Sequence, residues 1–238
     1  MSPEQHLQTL RTESARFAAA AAEARDRHGW RARVPGCPEW DLADLVWHLA
    51  AVQHFWCWVV TTRATSPEGY PEPVRPAEEE LLDFGAGQSR ALEEALAQAR
   101  PAEPVWTWAP QQDVGFVLRR QAQEATVHRV DAEQTLGEVT PVAAEVGLDG
   151  LDEWLALMVP GALPGGPPTG AEPVVFHAVD ADAERTLFPG TSDLPVATLT
   201  GPAGDLLLAA WRRVPVTAVT VDGDAERAAA LLATITLS

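Results

Sequence analysis

Apolar residues recur every three or four positions in four segments of the first 140 residues, which is the period of an amphipathic helix. In the second segment Leu42, Leu45 and Leu49 form one stripe, while Asp41 and Asp44 have the spacing of a capping box. The four predicted helices run over about Pro3–His28, Asp41–Arg63, Ala77–Arg100 and Val114–Leu136. Four long helices with one apolar stripe each predict a bundle, and their relative directions stay open.

The pattern changes near residue 145, where Gly- and Pro-rich breaks separate short apolar runs. Such runs indicate short strands mixed with short helices. The predicted helices are Leu148–Val159, a segment capped by Asp205 and ending at Arg213, and Ala225–Ala233, and the predicted strands are Val174–Val179, Pro195–Thr200 and Val216–Val221. We therefore predict an α+β chain with a helical bundle over residues 1–144 and a small α+β domain over residues 145–238.

Charge narrows the possible functions. The 238 residues include 34 acidic and 17 basic side chains, for a formal net charge of −17, and every basic residue is an arginine. Such an acidic chain lacks the positive surface that binds nucleic acid or anionic lipid. Without any lysine, Schiff-base chemistry on an internal lysine is excluded.

The cysteine content and the hydropathy pattern suggest a location. The only two cysteines, Cys37 and Cys57, form no CxxC pair. The first six residues lack the basic start and apolar core of a signal peptide, and no apolar run is long enough to span a bilayer. We expect a protein of the reducing cytoplasm.

Three side chains on two predicted helices have the character of metal ligands. Glu124 and His128 lie one turn apart on the fourth helix, and His48 lies on the inward stripe of the second. Two imidazoles and one carboxylate form a common open zinc site, with a fourth position for water or substrate. Asp131, one turn beyond His128, is placed to accept a ring N–H and to orient that imidazole.

Spacing alone leaves plainer interpretations open. A single inward histidine such as His48 is more often a hydrogen-bonded core residue. A glutamate and a histidine at this spacing usually form a solvated pair on a helix face.

Other candidates carry weaker signals. Cys37, between glycine and proline, has the setting of a reactive thiol, but no base is visible nearby, and a small buried residue is the simpler interpretation. Trp106 and Trp108 suit either a pocket mouth or ordinary packing. Arg212 and Arg213 end a predicted helix, where a cation complements the helix dipole.

Three segments resemble the signatures of a known family, in the expected order along the chain. They are VPGCPEWDLADLVWHL at residues 34–49, GFVLRRQAQEATVHRVDAE at residues 115–133 and TGPAGDLLLAAWRR at residues 200–213. All three are similar to segments of the mycothiol-dependent maleylpyruvate isomerase family. The resemblance implies a DinB-like metal-binding four-helix bundle followed by a small sterol-carrier-like domain.

The resemblance also implies a chemistry. It implies Zn²⁺, or another divalent metal, held by His48, Glu124 and His128, and it implies mycothiol, an actinobacterial thiol, as cosubstrate. A thiol bound to zinc loses its proton and becomes a nucleophile at neutral pH. Arg213 is the best positional match for a family arginine that binds a substrate carboxylate, although Arg212 stands where the family often has glycine.

The expected activity is the addition of a thiol to an electrophilic small molecule, as an isomerase or as a thiol S-transferase. Arg213 and Asp131 are the expected catalytic residues, and the partners are a small thiol and an electrophilic, carboxylate-bearing substrate, with no nucleic acid and no membrane. The chain is expected to be a monomer or a homodimer. The alternative is a non-catalytic module of the same fold that binds or senses a metal and a small ligand.

Overall fold

The computed structural model describes residues 1–235, which fall into two compact units. The first unit is Met1–Thr140 and the second begins at Pro141, whereas the sequence pattern put the division after residue 144. Residues 236–238, the end of the predicted second domain, lie outside the described residues.

The first unit contains four long helices. They are α1 (Pro3–His28), α2 (Leu42–Thr62), α3 (Glu78–Gln98) and α4 (Val114–Gln134). The predicted capping box at the start of α2 is present, because Asp41 accepts a hydrogen bond from the Asp44 amide and Asp44 accepts one from the Asp41 amide. Asp113 caps α4 through the amide of Phe116. Both helices that carry the candidate ligands therefore begin at a defined residue.

Side-chain contacts at two levels of the bundle define the direction of each helix. The contacts are Glu13–Arg129 and Arg16–Glu133 between α1 and α4, Trp47–Phe84 and Gln53–Ser89 between α2 and α3, and His48–Glu124 and Trp56–Phe116 between α2 and α4. Along α1 and α4, and along α2 and α3, the residue numbers of the contacting side chains increase in the same direction, so the helices of each pair are parallel. Between α2 and α4 they increase in opposite directions, so these two helices are antiparallel. The helices therefore run up, down, down and up, a question that the sequence pattern left open.

A buried ion network joins α1 to α4. The guanidinium of Arg129 is fully buried and donates to Glu13 at 2.6 Å and to Glu133 at 2.9 Å. The same group donates to the carbonyl oxygen of Thr140 at 2.7 Å, at the end of the unit. A buried charge needs such partners, so this network specifies how the two helices pack.

The second unit combines helices with one small sheet. Its helical elements are α5 (Ala144–Glu153), a π-helical turn (Trp154–Met158), α6 (Val159–Ala162), α7 (Ala203–Ala210), a 3₁₀ turn (Val216–Ala218) and α8 (Ala225–Ala233), and its strands are β1 (Val174–Ala178), β2 (Ala183–Leu187), β3 (Ala197–Gly201) and β4 (Thr220–Gly223). The strand order is β2-β1-β3-β4, with β1 and β3 parallel and both outer strands antiparallel to their neighbours. The predicted fold class, a four-helix bundle followed by a small α+β domain, is confirmed.

Some local predictions for the second unit were wrong. Residues 216–221 were predicted as one strand, but Pro215 introduces a 3₁₀ turn and the strand begins only at Thr220. Strand β2 was missed because Glu184 and Arg185 are adjacent in it and interrupt the alternation of apolar and polar residues. Glu184 faces His177 across the strand pair. Asp205 lies in the first turn of α7, and the N-cap is Pro202.

No helix within the described part of the chain is both long enough and apolar enough to cross a membrane.

Candidate metal centre

The three candidate ligands come together between α2 and α4. Each offers one ligand atom, and these atoms lie within 4.8 Å of one another. Within residues 1–235 this is the one group of three or more histidine, cysteine and carboxylate side chains close enough to hold a metal ion. The antiparallel crossing of α2 and α4 brings His48 opposite the pair that the helix turn sets on α4.

The two imidazoles approach the same carboxylate oxygen. Nε2 of His48 lies 3.1 Å from Oε1 of Glu124, and Nε2 of His128 lies 3.2 Å from the same atom. The ring centroids of the two histidines are 4.9 Å apart, with one ring edge toward the other. Two nitrogens and one oxygen thus converge on one small volume, which suits the donor set of an open zinc site.

The centre is more open on the side of α2. The side chain of His48 is 33% exposed, that of Glu124 is 17% exposed and that of His128 only 7%. Of the three side chains, His48 is therefore the one most accessible to solvent and His128 the most enclosed.

Asp131 lies against the inner histidine. Its carboxylate is fully buried, and Oδ2 accepts a hydrogen bond from Nδ1 of His128 at 2.9 Å. Because Nδ1 is engaged, Nε2 is the nitrogen that faces Glu124 and His48. Carboxylates commonly hold metal-binding histidines in this way and fix the ring tautomer.

The charges of the cluster are strongly coupled. Burial by itself lowers the pKa of His128, but the Glu124 carboxylate and the hydrogen bond to Asp131 outweigh it and raise that pKa to about 9. Burial by itself raises the pKa of Glu124, but His128, the hydrogen bond from His48 and the charge of Arg120 hold it well below its usual range. The Glu124 carboxylate is therefore held ionised between His128 and Arg120.

Arg120 is a site residue whose role the sequence pattern did not reveal. Its guanidinium lies one turn before Glu124 on α4 and donates to Oε2 at 3.0 Å. The side chain is only 5% exposed. A spacing of four residues indicates that Arg120 and Glu124 are neighbours on one helix face. Only the folded structure shows that Arg120 binds Oε2, the carboxylate oxygen that does not face the two histidines.

The loop before α2 supplies two further neighbours. The ring of Trp40 lies 4.6 Å from that of His48 and 6.1 Å from that of His128, measured between centroids. Sγ of Cys37 lies 3.8 Å from Oδ2 of Asp131. Cys37 is half-buried beside a site carboxylate, a contact that the sequence pattern did not suggest. A loop has no periodicity from which either contact is predictable, and the only signal is the place of both residues in the first family signature.

The candidate arginine Arg213 lies in the second unit, just after α7. Its guanidinium carbon is 5.8 Å from the centroid of the Trp211 ring, and Nη1 donates to the Trp211 carbonyl oxygen at 3.1 Å. The carboxylate-binding role of Arg213 and the supporting role of Asp131 stay predictions.

Trp106 and Trp108 both pack against aromatic neighbours. Trp106 lies 5.9 Å from Phe55 and 6.3 Å from Trp56 between ring centroids, and Trp108 lies 5.2 Å from Phe116. Trp108 is nevertheless 48% exposed. The packing interpretation is therefore supported for Trp106, whereas the half-exposed Trp108 remains compatible with both interpretations.

Together, the fold and the cluster define a class: a four-helix bundle with a two-histidine, one-carboxylate centre, followed by a small α+β unit. The family model of the mycothiol maleylpyruvate isomerase N-terminal domain matches residues 10–133, and that of the C-terminal domain of the same family matches residues 145–230. The chain therefore belongs to the mycothiol-dependent maleylpyruvate isomerase family, as the three sequence signatures predicted.

Solved structures agree on the fold. The chain is similar to a crystal structure of a mycothiol-dependent maleylpyruvate isomerase, with 15% identity, a TM-score of 0.69 and 93% of each chain covered. It is equally similar to a histidine-to-alanine mutant of such an isomerase, with 14% identity, a TM-score of 0.68 and the same coverage. No curated protein matches the chain in sequence.

Proposed function

We propose that this protein is a metal-dependent enzyme that uses mycothiol to attack an electrophilic small molecule, by isomerisation or by S-transfer. The observation that carries the proposal is the convergence of Nε2 of His48, Oε1 of Glu124 and Nε2 of His128 inside the fold of this family. The three residues would hold Zn²⁺ or another divalent ion, since two neutral imidazoles and a carboxylate leave a fourth position free.

The metal, when bound, supplies the Lewis acidity that keeps a thiol deprotonated at neutral pH. The residues of the chain supply the remainder. Asp131 holds the His128 ring so that Nε2 points into the centre, and Glu124 provides the negative charge that attracts a cation. The partly exposed His48 side chain marks the proposed side of thiol entry, and the Trp40 ring packs beside it.

The proposed substrate is an electrophile with a conjugated double bond and a carboxylate. In isomerisation, the thiol sulfur bonds to one alkene carbon, rotation follows about the resulting single bond, and elimination restores both the alkene and the thiol. In S-transfer, the carbon–sulfur bond is kept and one thiol is consumed per product. Arg213 is proposed to bind the carboxylate, because a guanidinium matches that group in geometry and charge.

We place the reaction in a reducing cytoplasm. Both Cys37 and Cys57 are free thiols, and a thiol cosubstrate stays reduced in that compartment.

The test combines metal analysis with a mycothiol assay on the purified protein. We expect stoichiometric divalent metal and conversion of maleylpyruvate, or of a related unsaturated acid, that depends on mycothiol. Isomerisation leaves the mycothiol concentration unchanged, whereas S-transfer lowers it in step with product. His128→Ala should lower metal affinity by about 100-fold or more, because it removes a ligand outright.

His177→Ala is the matched control, since this half-exposed histidine lies on β1 and pairs with Glu184. It should keep both metal and activity. Purified protein without metal, or metal content unchanged by His128→Ala, would contradict the site. Bound metal with no mycothiol-dependent turnover of any electrophile would favour the non-catalytic module.

A further inference from the structure

The two oxygens of the Glu124 carboxylate have different partners. Oε1 faces both imidazoles, at 3.1 Å from His48 and 3.2 Å from His128. Oε2 points the other way and accepts a hydrogen bond from Nη2 of Arg120 at 3.0 Å. One oxygen is thus directed toward the centre and the other is held away from it.

Arg120 is built into the bundle rather than lying on its surface. Its side chain is 5% exposed, whereas that of Glu124 is 17% exposed. A buried guanidinium is costly unless it is paired, so its position one turn before Glu124 is well defined by the pairing. The same burial makes Arg120 a poor contact for a substrate entering past His48.

We propose that Arg120 is a positioning residue that makes Glu124 offer a single oxygen to the metal. The inference rests on the proposed metal site. A carboxylate with both oxygens free can bind a metal through either one or both, and a second oxygen would fill the position that the thiol needs. By engaging Oε2, Arg120 keeps that position open.

Arginine suits this task better than lysine. Its planar guanidinium stays charged at every relevant pH and directs its N–H groups along fixed lines. Arg120 therefore acts on the direction of the Glu124 carboxylate through its hydrogen bond to Oε2.

The test uses Co²⁺ as a spectroscopic probe in the full-length protein. Four-coordinate Co²⁺ absorbs visible light far more strongly than five- or six-coordinate Co²⁺, so band intensity reports how many ligand atoms surround the ion. We expect the unsubstituted protein to show the intense band and Arg120→Met to lose it. Arg120→Lys, which keeps a charged donor without the fixed fork, should retain part of it.

Arg119→Met is the matched control, because Arg119 is the adjacent and more exposed arginine of the same helix. It should leave the cobalt spectrum unchanged.

The KM for mycothiol should rise about 10-fold in Arg120→Met. Thermal melting of the metal-free variant checks that it is folded. If Arg120→Met does not fold, Arg120→Lys provides the comparison.

The outcomes separate this inference from the function on which it rests. A folded Arg120 variant with the unsubstituted cobalt spectrum and an unchanged KM would overturn the positioning role and leave the metal site intact. Failure of the unsubstituted protein to bind Co²⁺ at all would overturn the metal site and this inference together.

Discussion

At the scale of single residues, two buried glutamines of the bundle differ in whether their side-chain amides are hydrogen-bonded. Gln53 and Gln121 are each 1% exposed. The Gln53 amide donates to Ser14 at 3.2 Å and accepts from Ser89 at 2.6 Å. Neither amide atom of Gln121 has a hydrogen-bond partner among residues 1–235. Because an unpartnered buried amide costs free energy, the same substitution should have opposite effects at the two positions.

Gln121→Met should raise the free energy of unfolding by about 1 kcal/mol, since it removes two unpartnered polar atoms and keeps the side-chain volume. Gln53→Met should lower it by about 1–3 kcal/mol, because Ser14 and Ser89 lose their partner. Chemical denaturation of both variants, monitored by tryptophan fluorescence, measures the difference. A destabilising Gln121→Met would show that its amide has a partner in solution.

From the sequence, only those contacts of the candidate site that lie within one helix could be predicted, because the helical period determines which residues share a face. Glu124, His128 and Asp131 share one face of α4, so their mutual approach follows from spacing alone. The approach of His48 depends on its stripe facing α4, which the spacing within α2 does not determine. The Arg120 contact with one particular oxygen and the Trp40 ring beside His48 depend on tertiary packing, which no spacing encodes.

At the scale of elements, α5 and α7 pack closely through glycine. A Cβ added at Gly147 of α5 would lie 2.4 Å from the backbone nitrogen of Gly204 and 2.5 Å from the carbonyl carbon of Ala203. Both neighbours are backbone atoms at the start of α7, so no side-chain rotation relieves the clash. The two helices approach closely here because Gly147 presents no side chain toward the backbone of Ala203 and Gly204.

Gly147→Ala should therefore force α5 and α7 apart and lower the free energy of unfolding by about 1–3 kcal/mol, a usual range for overpacking. Gly161→Ala is the control in the same unit, because a Cβ at Gly161 meets nothing within 4 Å. Denaturant midpoints of the two variants provide the comparison. Equal midpoints would mean that the helices are not in close contact in solution.

The elements themselves differ in how far the sequence determined them. The predicted helices Pro3–His28 and Ala225–Ala233 agree with α1 and α8, because caps and period coincide there. Strand β2 follows no clean alternation, because Glu184 and Arg185 stand side by side in it. Its pairing with β1, rather than its own residue types, makes it a strand.

At the scale of the whole molecule, the net charge of −17 should attract the proposed metal ion and repel the proposed carboxylate-bearing substrate. A negative field concentrates cations and repels carboxylates, and dissolved salt screens both effects. Raising the ionic strength from about 0.01 M to about 0.15 M shortens the screening length from about 30 Å to about 8 Å.

The apparent dissociation constant for Co²⁺ should therefore rise with salt, while the KM for a carboxylate-bearing substrate should fall, each by several-fold. Both are measured on the unsubstituted protein, in a salt whose ions do not bind cobalt. The opposite signs serve as the internal control, since a general effect of salt on folding would weaken both interactions together. Parallel changes would mean that nearby groups such as Arg120 and Glu124, rather than the overall charge, determine the potential at the centre.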